Sequence, residues 1–149
     1  IALSNLGEME VVNSEFDQAI AYSKEALEIA LELGEQWTII VVYDILGCAY
    51  TGLNDSSTAK KCFRSALQLA INIRSWDLLT RCAVNLSEAL ISEGNNQAAI
   101  CLLKAALAHQ SILFEYGLKA ETLLTKLGVE YEGDEDETMI ISAIEDFLS

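Results

Sequence analysis

Residues able to do chemistry are few in this chain, and their spacing does not assemble them. The one histidine, His109, stands in a stretch of helical pattern at the register of Ile29 and Leu69. That marks it as a packing-face side chain, since a base or a metal ligand would need partners that the sequence does not place near it. Cys48, Cys62, Cys82 and Cys101 are separated by 14, 20 and 19 residues. Those spacings fit neither a redox pair nor a zinc knuckle, and all four fall in helical segments, as small buried reduced thiols of a cytoplasmic protein would. The acidic run Glu132-Gly133-Asp134-Glu135-Asp136-Glu137 lacks the alternating ligands and closing bidentate Glu of a calcium loop. Carboxylates ahead of a helix starting near Thr138 are instead good partners for its N-terminal dipole. Neither a phosphate-cradling glycine loop nor a nucleophile elbow is present. The expectation is a non-enzymatic chain with no catalytic residue, cofactor or metal.

The elements around these residues are helical. The 149 residues include no proline and only 8 glycines, and charges make up 21%. No window approaches the roughly 18 uninterrupted apolar residues of a membrane span; the most apolar run, Ile39 to Val42, suits a helix buried in protein. No secretory signal pattern opens the chain, which points to the cytoplasm. With 9 basic and 23 acidic residues, a net charge of -14, the chain is set against nucleic acid and anionic membrane surfaces, both of which select clustered Lys and Arg.

From Tyr43 to Ala66 the order of large and small residues describes a helix hairpin. Tyr43, Leu46, Gly47 and Tyr50 share one helix face, Asn54-Asp55-Ser56-Ser57 breaks the chain, and Ala59, Phe63 and Ala66 share a face of the next helix. Gly and Ala in mid-helix allow close approach while the rings fill the flanks, and Gly47 is expected to face Ala59. A shift of forty residues finds the pattern again: Leu6-Gly7, Leu46-Gly47 and Leu86-Ser87 align, as do Ala19, Ala59 and Ala99, and Ala26, Ala66 and Ala106. Such self-similarity marks stacked hairpins. The expected division is residues 1–34, 35–74 and 75–116, then a degenerate unit with a capping helix over 117–149. In that last unit Leu124, Leu127, Gly128 and Tyr131 repeat the first-helix pattern one residue out of register, and a polar stripe of Thr138, Ser142, Glu145 and Ser149 lies opposite Ile140, Ile144, Phe147 and Leu148. Trp37, Trp76 and Tyr116 recur at the joins, where rings wedged between hairpins are expected. A start inside a helix, without methionine, reads as a piece of a longer protein, and its apolar end favours self-association.

These residues resemble the tetratricopeptide repeat family, whose pattern is Trp-x-x-Leu-Gly-x-x-Tyr, then Ala-x-x-x-Phe, then Pro. The second unit carries Leu46, Gly47, Tyr50, Ala59, Phe63 and Ala66, with Tyr43 for Trp; Leu31, Ile71 and Ser111 stand where the proline would. Without that proline the second helix of each hairpin can run on, which accounts for a period longer than the usual 34 or so residues. The resemblance implies an all-α, right-handed solenoid of antiparallel hairpins that binds a protein or peptide segment in its concave groove. Carried over by position, the groove residues are Ser4 and Glu8, then Asp44, Cys48 and Thr51, then Arg81, Asn85, Glu88 and Ser92. Three acids there oppose the capture of a carboxylate tail and favour a neutral or basic segment. Arrays of this period are similar to those of signalling and regulatory proteins. A sensor arm for a small molecule or peptide pheromone, acting on a further effector domain, is the alternative.

Overall fold

The computed structural model describes residues 2–133, 136 and 138–149. Among them lie eight α-helices and no strand. The chain divides into two units, Ile1–Arg74 and Ser75–Ser149.

The first unit holds α1 (Ala2–Val12), α2 (Phe16–Leu33), α3 (Gln36–Gly52) and α4 (Ser56–Asn72). Each packs on the next, and α1 also meets α3. Small residues set the spacing: Ala19, Ala26 and Ala30 on α2 and Ala59 and Ala66 on α4 are buried. Around Ala26, Val42, Leu46 and Cys62 the half-buried side chains of Leu3, Ile20, Leu27, Tyr43 and Tyr50 complete a cluster. Gly47 is a point of close approach, and its nearest neighbour is the Phe63 ring: a Cβ there would stand 2.6 Å from that ring. Phe63 lies one turn beyond Ala59 on the same face, and its ring fills the space that a side chain at 47 would need.

The period of forty is written in the backbone as well. Ser14, Asn54 and Gly94 each adopt a left-handed conformation, at φ 65°, 60° and 85°. After each, the next N–H reaches back five residues, from Glu15 to the Glu10 carbonyl at 2.8 Å, Asp55 to Tyr50 at 2.9 Å and Asn95 to Leu90 at 2.8 Å. This closure satisfies carbonyls that the helix end leaves open. Gly34 and Arg74 take the same conformation at the ends of α2 and α4, at φ 67° and 56°.

The second unit holds α5 (Trp76–Ser92), α6 (Asn96–Ala108), α7 (Phe114–Lys126) and α8 (Met139–Leu148), with α5 packed on α6 and α7, and α6 on α7 and α8. Leu79, Leu86, Leu102, Leu103, Leu124, Ile140 and Ile144 are fully buried. Here the structure departs from the expected pattern in several places. Whereas α2 and α4 have 18 and 17 residues, α6 has 13. His109 therefore lies just past α6 with ψ 127°, not on a helical packing face. Its Nδ1 accepts the Ser111 N–H at 3.1 Å, and its ring stacks on Trp76 with centroids 5.5 Å apart. Those local partners compete with continuation of the helix.

Leu124 to Tyr131 is a helix exit rather than a first helix. Gly128 is left-handed at φ 72°, and the Val129 N–H reaches the Leu124 carbonyl at 3.0 Å. The stripe on α8 is as expected, with Ile140 and Ile144 buried and Ser142, Glu145 and Ser149 exposed. Ahead of it the Asp136 carboxylate accepts the Thr138 N–H at 2.9 Å. That hydrogen bond, and then one from the Thr138 hydroxyl, holds Asp136 below the usual carboxylate range. Glu132 of the expected acidic run is exposed, and Asp134, Glu135 and Glu137 lie outside the described residues. Trp37 is not a wedge, since it is 54% exposed, and Trp76 is exposed as well. Of the four free thiols only Cys62 and Cys82 are buried; Cys48 is half-buried and Cys101 exposed, because Cys101 falls on the outer side of α6.

Candidate functional site

The positions carried over from the repeat pattern fall on α1 and α3 in the first unit and on α5 in the second. In the first unit α1 and α3 are in contact. Ser4 and Asp44 are buried, while Glu8, Cys48 and Thr51 are half-buried. The Thr51 hydroxyl donates to the Gly47 carbonyl at 2.8 Å, which turns it back onto its own helix. Of these five residues, Glu8 is the one that offers a partly solvated charge. Asp44 is wholly enclosed, so its carboxylate belongs to the interior.

In the second unit the face of α5 meets α7. The Arg81 guanidinium lies over the Tyr116 ring, 5.4 Å from its centroid, a cation–π contact. One turn on, the buried Asn85 accepts a hydrogen bond from Lys119 Nζ at 2.8 Å, and the same ammonium pairs with the Glu88 carboxylate at 2.7 Å. Asn85 and Glu88 are three residues apart on one helix face, so a single Lys can reach both. The Glu88 side chain stays 49% exposed and that of Lys119 34%. A pair this open to water contributes about 0–1 kcal/mol to stability and remains available for exchange with an outside charge. Ser92, also exposed, donates to the Glu88 carbonyl at 3.0 Å.

Sequence reasoning puts Arg81, Asn85 and Glu88 on one face but misses Tyr116 and Lys119, which contact them. The signal was present, since Tyr116 and Lys119 share a face at i, i+3. A division at residue 116 hides it, since that places Tyr116 in the preceding unit, whereas α7 already begins at Phe114. None of these side chains is an assembled nucleophile or acid–base pair. Among the described residues, no three His, Cys, Asp or Glu side chains are grouped to hold a metal ion. No helix there is long and apolar enough to cross a membrane.

Residues 1–72 match the family model described as Tetratricopeptide repeat. Among curated proteins the chain is similar to the anaphase-promoting complex subunit CDC16 of Saccharomyces cerevisiae, with 31% identity over 119 residues. That alignment covers 72% of this chain and 14% of the relative's length. No solved structure matches the chain significantly. The family match coincides with the hairpins in which Gly7 and Gly47 let helices approach closely, and the helical architecture continues to the end of the second unit. Over residues 1–72 the chain belongs to the tetratricopeptide repeat family of helical protein-interaction modules.

Proposed function

We propose that the chain is a non-catalytic docking module that holds a neutral or basic protein segment against its first-helix faces, within a larger signalling or regulatory protein. The repeats divide at residues 34 and 74 and ahead of α7, and each unit offers its own face: Glu8, Cys48 and Thr51 over the buried Ser4 and Asp44 on α1 and α3, and Arg81, Asn85, Glu88 and Ser92 on α5. The observation that carries the reading is the family match over residues 1–72. The sign of the preference comes from the net charge of -14 together with the solvated carboxylates of Glu8 and Glu88. A negative field of this size speeds the encounter with cationic segments and disfavours acidic ones. The relative is named as a subunit of a complex, which agrees with a role in holding protein to protein.

The test is calorimetric titration of basic and acidic peptide pools against the wild type and a Glu8→Gln, Glu88→Gln double variant. Asp44 is left intact because a wholly buried carboxylate would report on stability instead. The expected result is heat from the basic pool alone, reduced in the double variant. Equal affinity for the two pools, or no loss in the variant, would remove the acidic faces from the account.

A further inference from the structure

On the second unit's face the chain supplies a cation of its own to the acid that a partner would seek. Lys119 is carried by α7, yet its ammonium lies against α5, 2.7 Å from the Glu88 carboxylate and 2.8 Å from Asn85 Oδ1. Glu88 is the acid proposed above to meet a basic side chain of the partner, so the seat is already taken. It is not held tightly. Both side chains stay open to water, and Lys119 meets the carboxylate as a single ammonium without the two-point grip of a guanidinium. The buried Asn85 fixes the direction from which that ammonium approaches.

The sequence of α7 provides a second seat for the same cation. Glu115 is exposed in the first turn of α7, four residues before Lys119. A Glu four residues N-terminal to a Lys is the favoured order for a pair on a helix surface. An ammonium that leaves Glu88 therefore finds another carboxylate within reach on its own helix, and its release strands no charge.

We infer that Lys119 is a tethered competitor that gates this face: a Lys or Arg of the bound segment takes Glu88 while Lys119 moves to Glu115. The inference rests on the proposal that the face receives a neutral or basic segment. It gives the face a threshold. A single cation gains at Glu88 only what Lys119 gives up there, whereas a segment with several basic residues adds the attraction of the wider acidic surface. Neutralising Lys119 opens the face, and a cation that grips Glu88 more firmly closes it.

The experiment is a fluorescence anisotropy titration of the whole chain with a labelled, alternating Lys/Ser peptide at low salt. Lys119→Gln should tighten binding about three- to fivefold, as loss of an exposed competing pair allows. Lys119→Arg should weaken it about twofold or more, because a guanidinium holds a carboxylate through two parallel hydrogen bonds. It also retains a donor for Asn85, so it tests the gate in a chain whose buried amide keeps its contact. Lys126→Gln removes the same charge from the far end of α7 and should leave the affinity within about 1.5-fold, since solvent screens an exposed charge at that remove. In a Glu88→Gln background the gain from Lys119→Gln should vanish, which a general change of net charge would not produce. Circular dichroism of each variant checks that the helices are kept. A folded Lys119→Gln chain that binds no more tightly, a Lys119→Arg chain that binds as well as the wild type, or a gain that survives Glu88→Gln would overturn the inference. If Glu88→Gln weakens binding while the Lys119 variants change nothing, the gate alone falls. If the wild type ignores the basic peptide, the docking proposal falls with it.

Discussion

Two glycines inside helices have opposite surroundings, and the same substitution should therefore act with opposite sign. A Cβ at Gly47 would stand 2.6 Å from the Phe63 ring, which is wholly buried and has nowhere to turn. At Gly117 a Cβ would meet nothing within 4 Å. Alanine improves on glycine in a helix interior by about 1 kcal/mol, whereas overpacking a core costs roughly 1–3 kcal/mol. Gly117→Ala should thus stabilise by about 0.5–1 kcal/mol, and Gly47→Ala should be destabilising by about 1 kcal/mol net. Urea unfolding of both variants checks the pair. Trimming the ring with Phe63→Leu should make alanine at 47 tolerable, and a double-mutant cycle would read that coupling. The thiols divide in a similar way. Burial, and then the charge of Asp55, push the Cys62 thiol up to about 11 against an opposing pull from Lys24, while Cys101 is exposed. The thiolate is the reactive species, so alkylation near neutral pH should label Cys101 first and Cys62 late. Mass spectrometry of a time course would contradict this if Cys62 reacted fastest.

The elements differ in how well their starts are capped, and the differences follow the period of forty. Asp55 and Asn95 accept the N–H of Thr58 at 3.1 Å and of Ala98 at 3.4 Å, whereas Glu15, the matching residue before α2, makes no side-chain cap. A shorter side chain reaches the third N–H of a helix where a longer one overshoots, so Glu15→Asp should stabilise α2 by about 0.5–1 kcal/mol, measured as a rise in the urea midpoint. The Thr58 hydroxyl and then its N–H lower the Asp55 carboxyl below its ordinary value. A depressed carboxylate stabilises the fold above its unfolded value, about 3.9, and that contribution fades as pH falls through the lower folded value. Asp55→Asn keeps a capping acceptor and should flatten this part of the acid limb. The hairpin at 43–66 was legible because its turn and both faces lie within one short stretch. Gly128 is ambiguous in the sequence because a glycine after a leucine serves equally as a close-contact residue inside a helix or as its left-handed exit; only the placement of α7 decides. The candidate site was half legible for a related reason. Register alone gives Asn85 and Glu88, but their partner Lys119 is 34 residues from Asn85 and enters only through tertiary packing.

At the scale of the whole molecule the dominant fact is charge. Acidic residues outnumber basic ones in both units, and the net charge is -14. Self-repulsion of this kind destabilises a compact state, while the same field attracts cationic partners. Salt therefore acts on the two properties in opposite directions. Raising ionic strength from about 0.01 M to 0.15 M shortens the screening length from about 30 Å to about 8 Å, so most repulsion between carboxylates on different helices is lost. Local pairs such as Lys119 with Glu88, at 2.7 Å, lie well inside either length and should change little. The melting temperature of the free chain should consequently rise over this range. Affinity for a basic segment should fall over the same range, because the attraction that speeds its encounter is screened too. Measuring both on one preparation separates the causes. A rising melting temperature with constant affinity would mean that binding is carried by apolar contact. A flat or falling melting temperature would show that the carboxylates are already compensated locally, and the long-range field would then lose its role in folding and in partner selection alike.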